Sequence, residues 1–163
     1  MKKLLLLSLF AVSAIAISCK AQESPKASAK GKDVSVNYGQ PSKKGREIFG
    51  KLVPFGQVWR AGANEATEIT FAKDSKFGGQ AIKAGTYSLF VNPSATEWTI
   101  ILNSELKQWG AYGYEKIKAK DVLSVKVPVK KLDAVVEKLA YRFSDKNELI
   151  IEWDQAQVSV PIG

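Results

Sequence analysis

Thr86-Tyr87-Ser88-Leu89-Phe90-Val91-Asn92-Pro93-Ser94-Ala95-Thr96-Glu97-Trp98-Thr99-Ile100-Ile101-Leu102 is the stretch that decides the fold class. Tyr87, Leu89 and Val91 recur at every second position, the period of an extended chain whose successive side chains leave on opposite faces. Pro93-Ser94 interrupts the run, and Glu97-Trp98-Thr99-Ile100-Ile101-Leu102 then resumes with the β-branched and aromatic residues that suit a pleated surface. Two strands joined by a turn follow from this reading.

The same alternation extends in both directions. Val34-Ser35-Val36-Asn37-Tyr38 alternates until Gly39-Gln40-Pro41 breaks it, and residues 67–71 set Ile69 and Phe71 against Glu68 and Thr70. Residues 77–82 contain the diglycine Gly78-Gly79, suited to a left-handed hairpin turn. Further strands are expected over residues 122–129, 139–143, 149–153 and 158–162. About nine short strands, spaced by roughly ten to fifteen residues, predict an all-β domain, an antiparallel two-sheet β-sandwich of jelly-roll or immunoglobulin-like type. Trp98 and Trp153, alternating within apolar strands, belong to its core, as do Tyr87, Phe90 and Phe143.

Little helix is expected. Leu132, Val135 and Val136 fall at helical spacing within residues 131–138, although a β-branched pair equally suits an extended chain entering the strand at Leu139. A second short helix is expected within residues 104–109, with Ser104 as its N-cap.

Upstream of the strands the composition changes. Met1-Lys2-Lys3, an apolar run over residues 4–17 and then small residues form the pattern of a bacterial export signal, too short to span a bilayer comfortably. Residues 1–18 are therefore expected to be removed, or residues 1–21 if cleavage follows Ala21. Ala16-Ile17-Ser18-Cys19 resembles a lipobox, with Ala where Leu is usual, and makes Cys19 a lipidation candidate that would tether the protein to a membrane. Cys19 is the only cysteine, so an intramolecular disulfide is excluded. Residues 19–33 lack apolar periodicity and read as a flexible tether, leaving residues 34–163 as one domain able to bury a core without staples. The expected location is the periplasm or outer membrane.

The net charge of +8 does not point to nucleic acid. Lys2 and Lys3 leave with the signal, the tether carries four lysines against two acids, and half of the excess remains on the domain, scattered among carboxylates. Export argues independently against DNA.

Four segments carry a family resemblance: Lys44-Gly45-Arg46-Glu47-Ile48-Phe49-Gly50, the long run from Leu52-Val53-Pro54-Phe55-Gly56-Gln57-Val58-Trp59-Arg60 through Ala61-Gly62-Ala63-Asn64-Glu65-Ala66-Thr67, Ala84-Gly85-Thr86-Tyr87-Ser88-Leu89-Phe90, and Gln108-Trp109-Gly110-Ala111-Tyr112. Over about residues 34–162 the chain resembles the bacterial family of domain of unknown function 2911. The resemblance implies an exported envelope protein of a kind typical of the Bacteroidetes, and it brings no reaction, cofactor or catalytic residue with it.

Chemistry is narrowed first by what is missing. Without any histidine, a Ser-His-Asp or Cys-His nucleophile system cannot be assembled, and zinc, copper and non-haem iron lose their commonest ligand. The glycine-rich phosphate loops and the Gly-x-Ser-x-Gly elbow are absent too, so no cofactor and no metal are expected. Asp145-Lys146-Asn147-Glu148 lacks the ligand ladder of a calcium loop and reads as a hairpin turn. A carboxylate pair drawn from Glu65, Glu68, Glu97, Glu105, Asp121 and other acids would be a route to a hydrolase, ahead of Lys-assisted Ser chemistry, which has no motif here, though strand carboxylates alternating with apolar residues most simply face solvent.

Two loops hold the informative residues. Trp59, Arg60, Asn64 and Glu65 bring an aromatic face, a guanidinium, an amide and a carboxylate within seven residues, while Gln108, Trp109 and Tyr112 stand among glycines. Aromatic stacking flanked by hydrogen-bonding groups is the chemistry of a polar-ligand site. In the competing structural reading, Trp59 and Trp109 plug the ends of the fold and Arg60 pairs with Glu65. The expected function is non-enzymatic binding of a small polar or carbohydrate-like ligand in the cell envelope, with a structural or protein-partner-binding module and a carboxylate-pair hydrolase as alternatives.

Overall fold

A computed structural model describes residues 23–163, so the expected export signal and Cys19 lie outside the described residues. The chain is mostly β. Its strands are β1 (Lys26–Lys30), β2 (Val34–Gly39), β3 (Thr67–Phe71), β4 (Ser75–Phe77), β5 (Gln80–Ile82), β6 (Gly85–Pro93), β7 (Glu97–Asn103), β8 (Asp121–Pro128), β9 (Lys130–Phe143) and β10 (Glu148–Pro161), with one short helix, α1 (Tyr114–Ile117), before β8. Six strands form an antiparallel sheet in the order β1-β2-β3-β6-β7-β8, and β4–β5 and β9–β10 are two separate hairpins.

Alternation explains where the core sits. The inward residues of the sheet, among them Val36, Ile69, Leu89, Val91, Trp98 and Ile100, are buried in one apolar cluster with Leu139 and Tyr141 of β9 and with Ile151, Trp153 and Val160 of β10. The long hairpin thus contributes to the same core. β6 is buried on both faces: Phe90, pointing away from this cluster, joins Ala66, Ile101 and Tyr114 in a smaller one, and α1 is held over the outer face of β6 and β7 by that contact. Tyr114 donates its hydroxyl to Asp121 Oδ2 at 2.5 Å.

The register draws a polar line across the sheet. Ser28 faces Asn37, Asn37 faces Glu68, Glu68 faces Ser88, Ser88 faces Asn103 and Asn103 faces Asp121. All six strands contribute one residue to it.

Three expectations are corrected. Residues 26–30, read as part of a flexible tether, are an edge strand, because the spacing of Ala27 and Ala29 lets both pack against the core while the lysines point outward. Residues 131–138, a helix candidate, are extended within β9, where Lys131 faces Ala156 and Val136 faces Asp154; pairing to β10 and the β-branched pair outweigh the helical spacing. Residues 104–109 form no helix. Ser104 instead donates its backbone N–H to Lys120 O at 3.1 Å, and the helix starts ten residues later, after Gly113, without a side-chain cap. Among the described residues ten strands stand where about nine were expected: β1 is additional, the diglycine joins two strands, and the segments expected at 149–153 and 158–162 are one irregular strand.

Candidate functional site

The first loop, residues 59–66, is pinned at every turn. Trp59 and Val91 exchange both backbone hydrogen bonds, at 2.7 and 2.9 Å. Ala61 sits at φ 55°, a left-handed conformation uncommon for alanine, and its carbonyl accepts from the Thr67 hydroxyl at 2.9 Å and the buried Tyr141 hydroxyl at 2.6 Å. Ala63 N–H donates to Gly39 O at 3.1 Å, and Asn64, also left-handed at φ 63°, donates its side-chain amide to Ser24 O at 3.0 Å.

The second loop pairs with the first. Ala66 N–H donates to Gln108 O at 2.8 Å and Gly110 N–H to Asn64 O at 3.0 Å, so Glu65 and Trp109 face each other across an antiparallel bridge. These bonds flank the facing residues rather than join them, which is the closer of the two antiparallel pairings, with both side chains on one face. Gln108 turns its own amide back to Leu106 O at 3.1 Å. Trp109 is 58% exposed and Tyr112 86% exposed.

Two clefts flank the paired loops. The first, of about 430 Å³, is lined by Lys26, Asn37, Gly39, Glu65, Glu68 and Lys107, of which Asn37 and Glu68 are the β2 and β3 members of the polar line. Lys26 Nζ lies 3.2 Å from Glu65 Oε1, and Lys107 N–H donates to Glu68 Oε1 at 3.2 Å. A backbone hydrogen bond at its own position, followed by the Lys26 ammonium, holds the Glu65 carboxyl below the usual carboxylate range. The second cleft, of about 340 Å³, contains Leu52, Pro54, Val58, Arg60 and Tyr112 among its walls.

The seven site candidates are therefore in one neighbourhood but not on one wall. Glu65 opens on the first cleft with Trp109 on its face, whereas Arg60 and Tyr112 line the second. Trp59 is a core residue: it is 8% exposed, stacks on Trp153 at 6.0 Å and meets Trp98 edge-on at 6.4 Å, with Nε1 donating to Gly62 O. The Arg60–Glu65 pair is not formed, since Glu65 turns to Lys26 and the Arg60 Nε is buried without a partner.

Sequence reasoning missed Lys26, Asn37 and Lys107, and named Glu68 only among the carboxylates of the hydrolase alternative. Alternation puts Asn37 and Glu68 on the solvent side of their strands, yet only the register brings them together. Lys26 was hidden by a Lys-Ala-Ser-Ala-Lys strand that lacks every usual strand former. Among the described residues, no three His, Cys, Asp or Glu side chains are grouped as a metal site requires.

The family model described as "Protein of unknown function (DUF2911)" matches residues 20–162. No curated protein and no solved structure matches the chain.

Proposed function

The chain belongs to the DUF2911 family, and from that premise we propose that it is a non-enzymatic binder of a small polar or carbohydrate-like ligand in the cell envelope. The pairing of Glu65 with Trp109 carries this reading. It holds a half-exposed indole beside an ionised carboxylate at the edge of a cleft that also presents an amide and two ammonium groups. The apolar face of a sugar ring stacks on such an indole while its hydroxyls donate to carboxylates and accept from Lys and Asn, and the cleft is of the size that small ligands occupy.

Glu65 and Glu68 line the same cleft, which is the specific observation in favour of a carboxylate-pair hydrolase. That chemistry needs one protonated carboxyl beside an ionised one, and Glu65, held towards the ionised form by its hydrogen bond and Lys26, fits only the latter role. Binding is preferred because the Trp109 indole and the Lys26 ammonium beside Glu65 answer a polar ligand without needing an acid.

The test is a glycan-array screen of the full chain followed by calorimetry on the best oligosaccharide. Binding that falls at least about tenfold in both Trp109→Ala and Glu65→Gln is expected. No retained glycan, or affinity unchanged in both variants, overturns the reading, and release of new reducing ends would replace it with the hydrolase.

The finer architecture is proposed as a two-layer sandwich of jelly-roll or immunoglobulin-like type, with the six-stranded sheet opposed by the β9–β10 hairpin; their shared core supports it. Export and lipidation at Cys19 are likewise proposed. Four residues stand between Cys19 and Ser24, whose carbonyl accepts from the Asn64 amide, so the attachment point of a lipid would be at most about 18 Å of chain from that contact. Intact-mass measurement of the mature protein decides the processing route: lipid mass on Cys19 is expected, and an unmodified N-terminus at Gln22 refutes it.

A further inference from the structure

The second cleft holds a cation that the described residues leave unanswered. Arg60 forms no salt bridge or side-chain hydrogen bond among them, and its Nε is buried with no acceptor in reach. A guanidinium remains charged at every pH a protein tolerates, and a buried N–H without an acceptor is a cost that native structures rarely carry without a use. The residues lining the cleft include no Asp or Glu, and residues 1–22 contain no acid.

Besides Arg60 and Gln57, the residues lining the cleft are apolar or aromatic. Leu52, at 45% exposure, and Tyr112 leave substantial surface in water, and Val58 and Ala111 pack partly against the small cluster around Phe90. The backbone that carries Arg60 is fixed, because its carbonyl accepts from Thr67 N–H at 3.1 Å and the preceding Trp59 is locked to Val91 by both backbone hydrogen bonds. A guanidinium fork beside mostly apolar walls matches one ligand chemistry: an anion with two in-plane acceptor oxygens attached to an apolar body.

We propose that this cleft is a second binding site, distinct from the Glu65–Trp109 cleft, for a small organic carboxylate with an aromatic or aliphatic body. The Arg60 guanidinium takes the carboxylate in a bidentate pair, and Leu52, Pro54 and Tyr112 cover the apolar portion. Mixed charge makes the first cleft a poor place for such a ligand, since Glu65 and Glu68 would repel it. The two sites are therefore expected to be chemically independent.

The experiment is a titration of the full chain with benzoate, octanoate and benzamide, read as amide shifts of Arg60, Ala111 and Tyr112 in heteronuclear NMR. Benzoate or octanoate is expected to shift these amides saturably, and the preferred one of the two assigns the body of the ligand. Benzamide, of the same shape without the charge, is expected to bind at least about tenfold more weakly. Arg60→Gln is expected to lose the response while keeping the spectrum of the folded protein, and Arg60→Lys to lose most of it because the fork is gone. Tyr112→Ala, at the exposed rim, provides a variant with little folding risk and is expected to weaken binding severalfold. Equal shifts with benzamide, shifts unchanged in Arg60→Gln, or no shift with either carboxylate overturns the proposal. Trp109→Ala is expected to leave the carboxylate titration unaltered, so failure here and failure of the glycan reading are separable.

Discussion

Gly39 and Ala63 approach so closely that a Cβ on residue 39 would stand 2.0 Å from the Ala63 carbonyl oxygen. That contact is where the end of β2 meets the loop bearing Asn64 and Glu65, and Ala63 N–H returns a hydrogen bond to Gly39 O. The candidate site is therefore positioned by the absence of a side chain.

Gly39→Ala is expected to push the loop away, because the opposing atom is backbone and cannot rotate aside. A loss of about 2 kcal/mol or more in chemical denaturation is expected from the overpacking. Hydrogen exchange localises the damage: the Ala63 and Ala66 amides, which bond to Gly39 O and Gln108 O, are expected to lose protection before those of β6 and β7. Unchanged protection at both amides would show that the approach is not a constraint in solution.

The four tryptophans divide sharply by environment. Trp98 and Trp153 are each 1% exposed and Trp59 is 8% exposed within the same aromatic group, so truncation of any of them to Ala is expected to cost about 3 to 5 kcal/mol through lost burial and a residual cavity. Trp109→Ala is expected to cost less than about 0.5 kcal/mol, as a substitution at an exposed position. Urea titration of the four variants checks this, and a core-sized loss at Trp109 would remove the indole from the proposed binding surface.

The pattern of which features were legible has physical causes. Period-two alternation located β3 to its residue limits and placed Ile69, Leu89, Trp98 and Trp153 inside, because burial on one face leaves a direct mark on residue order. β1 left no such mark, since alanine fills its inward positions. The two loops stood out by composition, and the structure brings them together, but composition carries no register. Whether Glu65 would face Arg60 or Lys26 depends on how β1 and the second loop dock, which is a property of long-range pairing. Trp59 illustrates the same gap: a tryptophan entering a loop has one identity in sequence and two places to go, and exchange of both backbone hydrogen bonds with Val91 sends this one into the core.

The acid limb of ligand binding follows from Glu65. Its carboxyl titrates below the ordinary range in the folded protein, chiefly through the backbone hydrogen bond at its own position and then through Lys26. A depressed folded value means that the stabilisation is present above the ordinary glutamate value of 4.5 and is lost as pH falls through the folded value. For stability the effect is small, below about 0.5 kcal/mol, because the side chains of Lys26 and Glu65 are 79% and 46% exposed and water screens the pair. For binding it matters more, since the acceptor facing Trp109 stays ionised at pH 5 and glycan affinity is expected to hold there, declining only in more acid solution. Lys26→Met is expected to move that decline upward in pH without bringing it to the ordinary glutamate value, because the larger influence, the backbone hydrogen bond, remains. Side-chain carboxyl NMR of Glu65 across pH 2 to 7 in both proteins reads this directly, and a midpoint at or above 4.5 in the unsubstituted chain would show that neither partner holds the carboxylate.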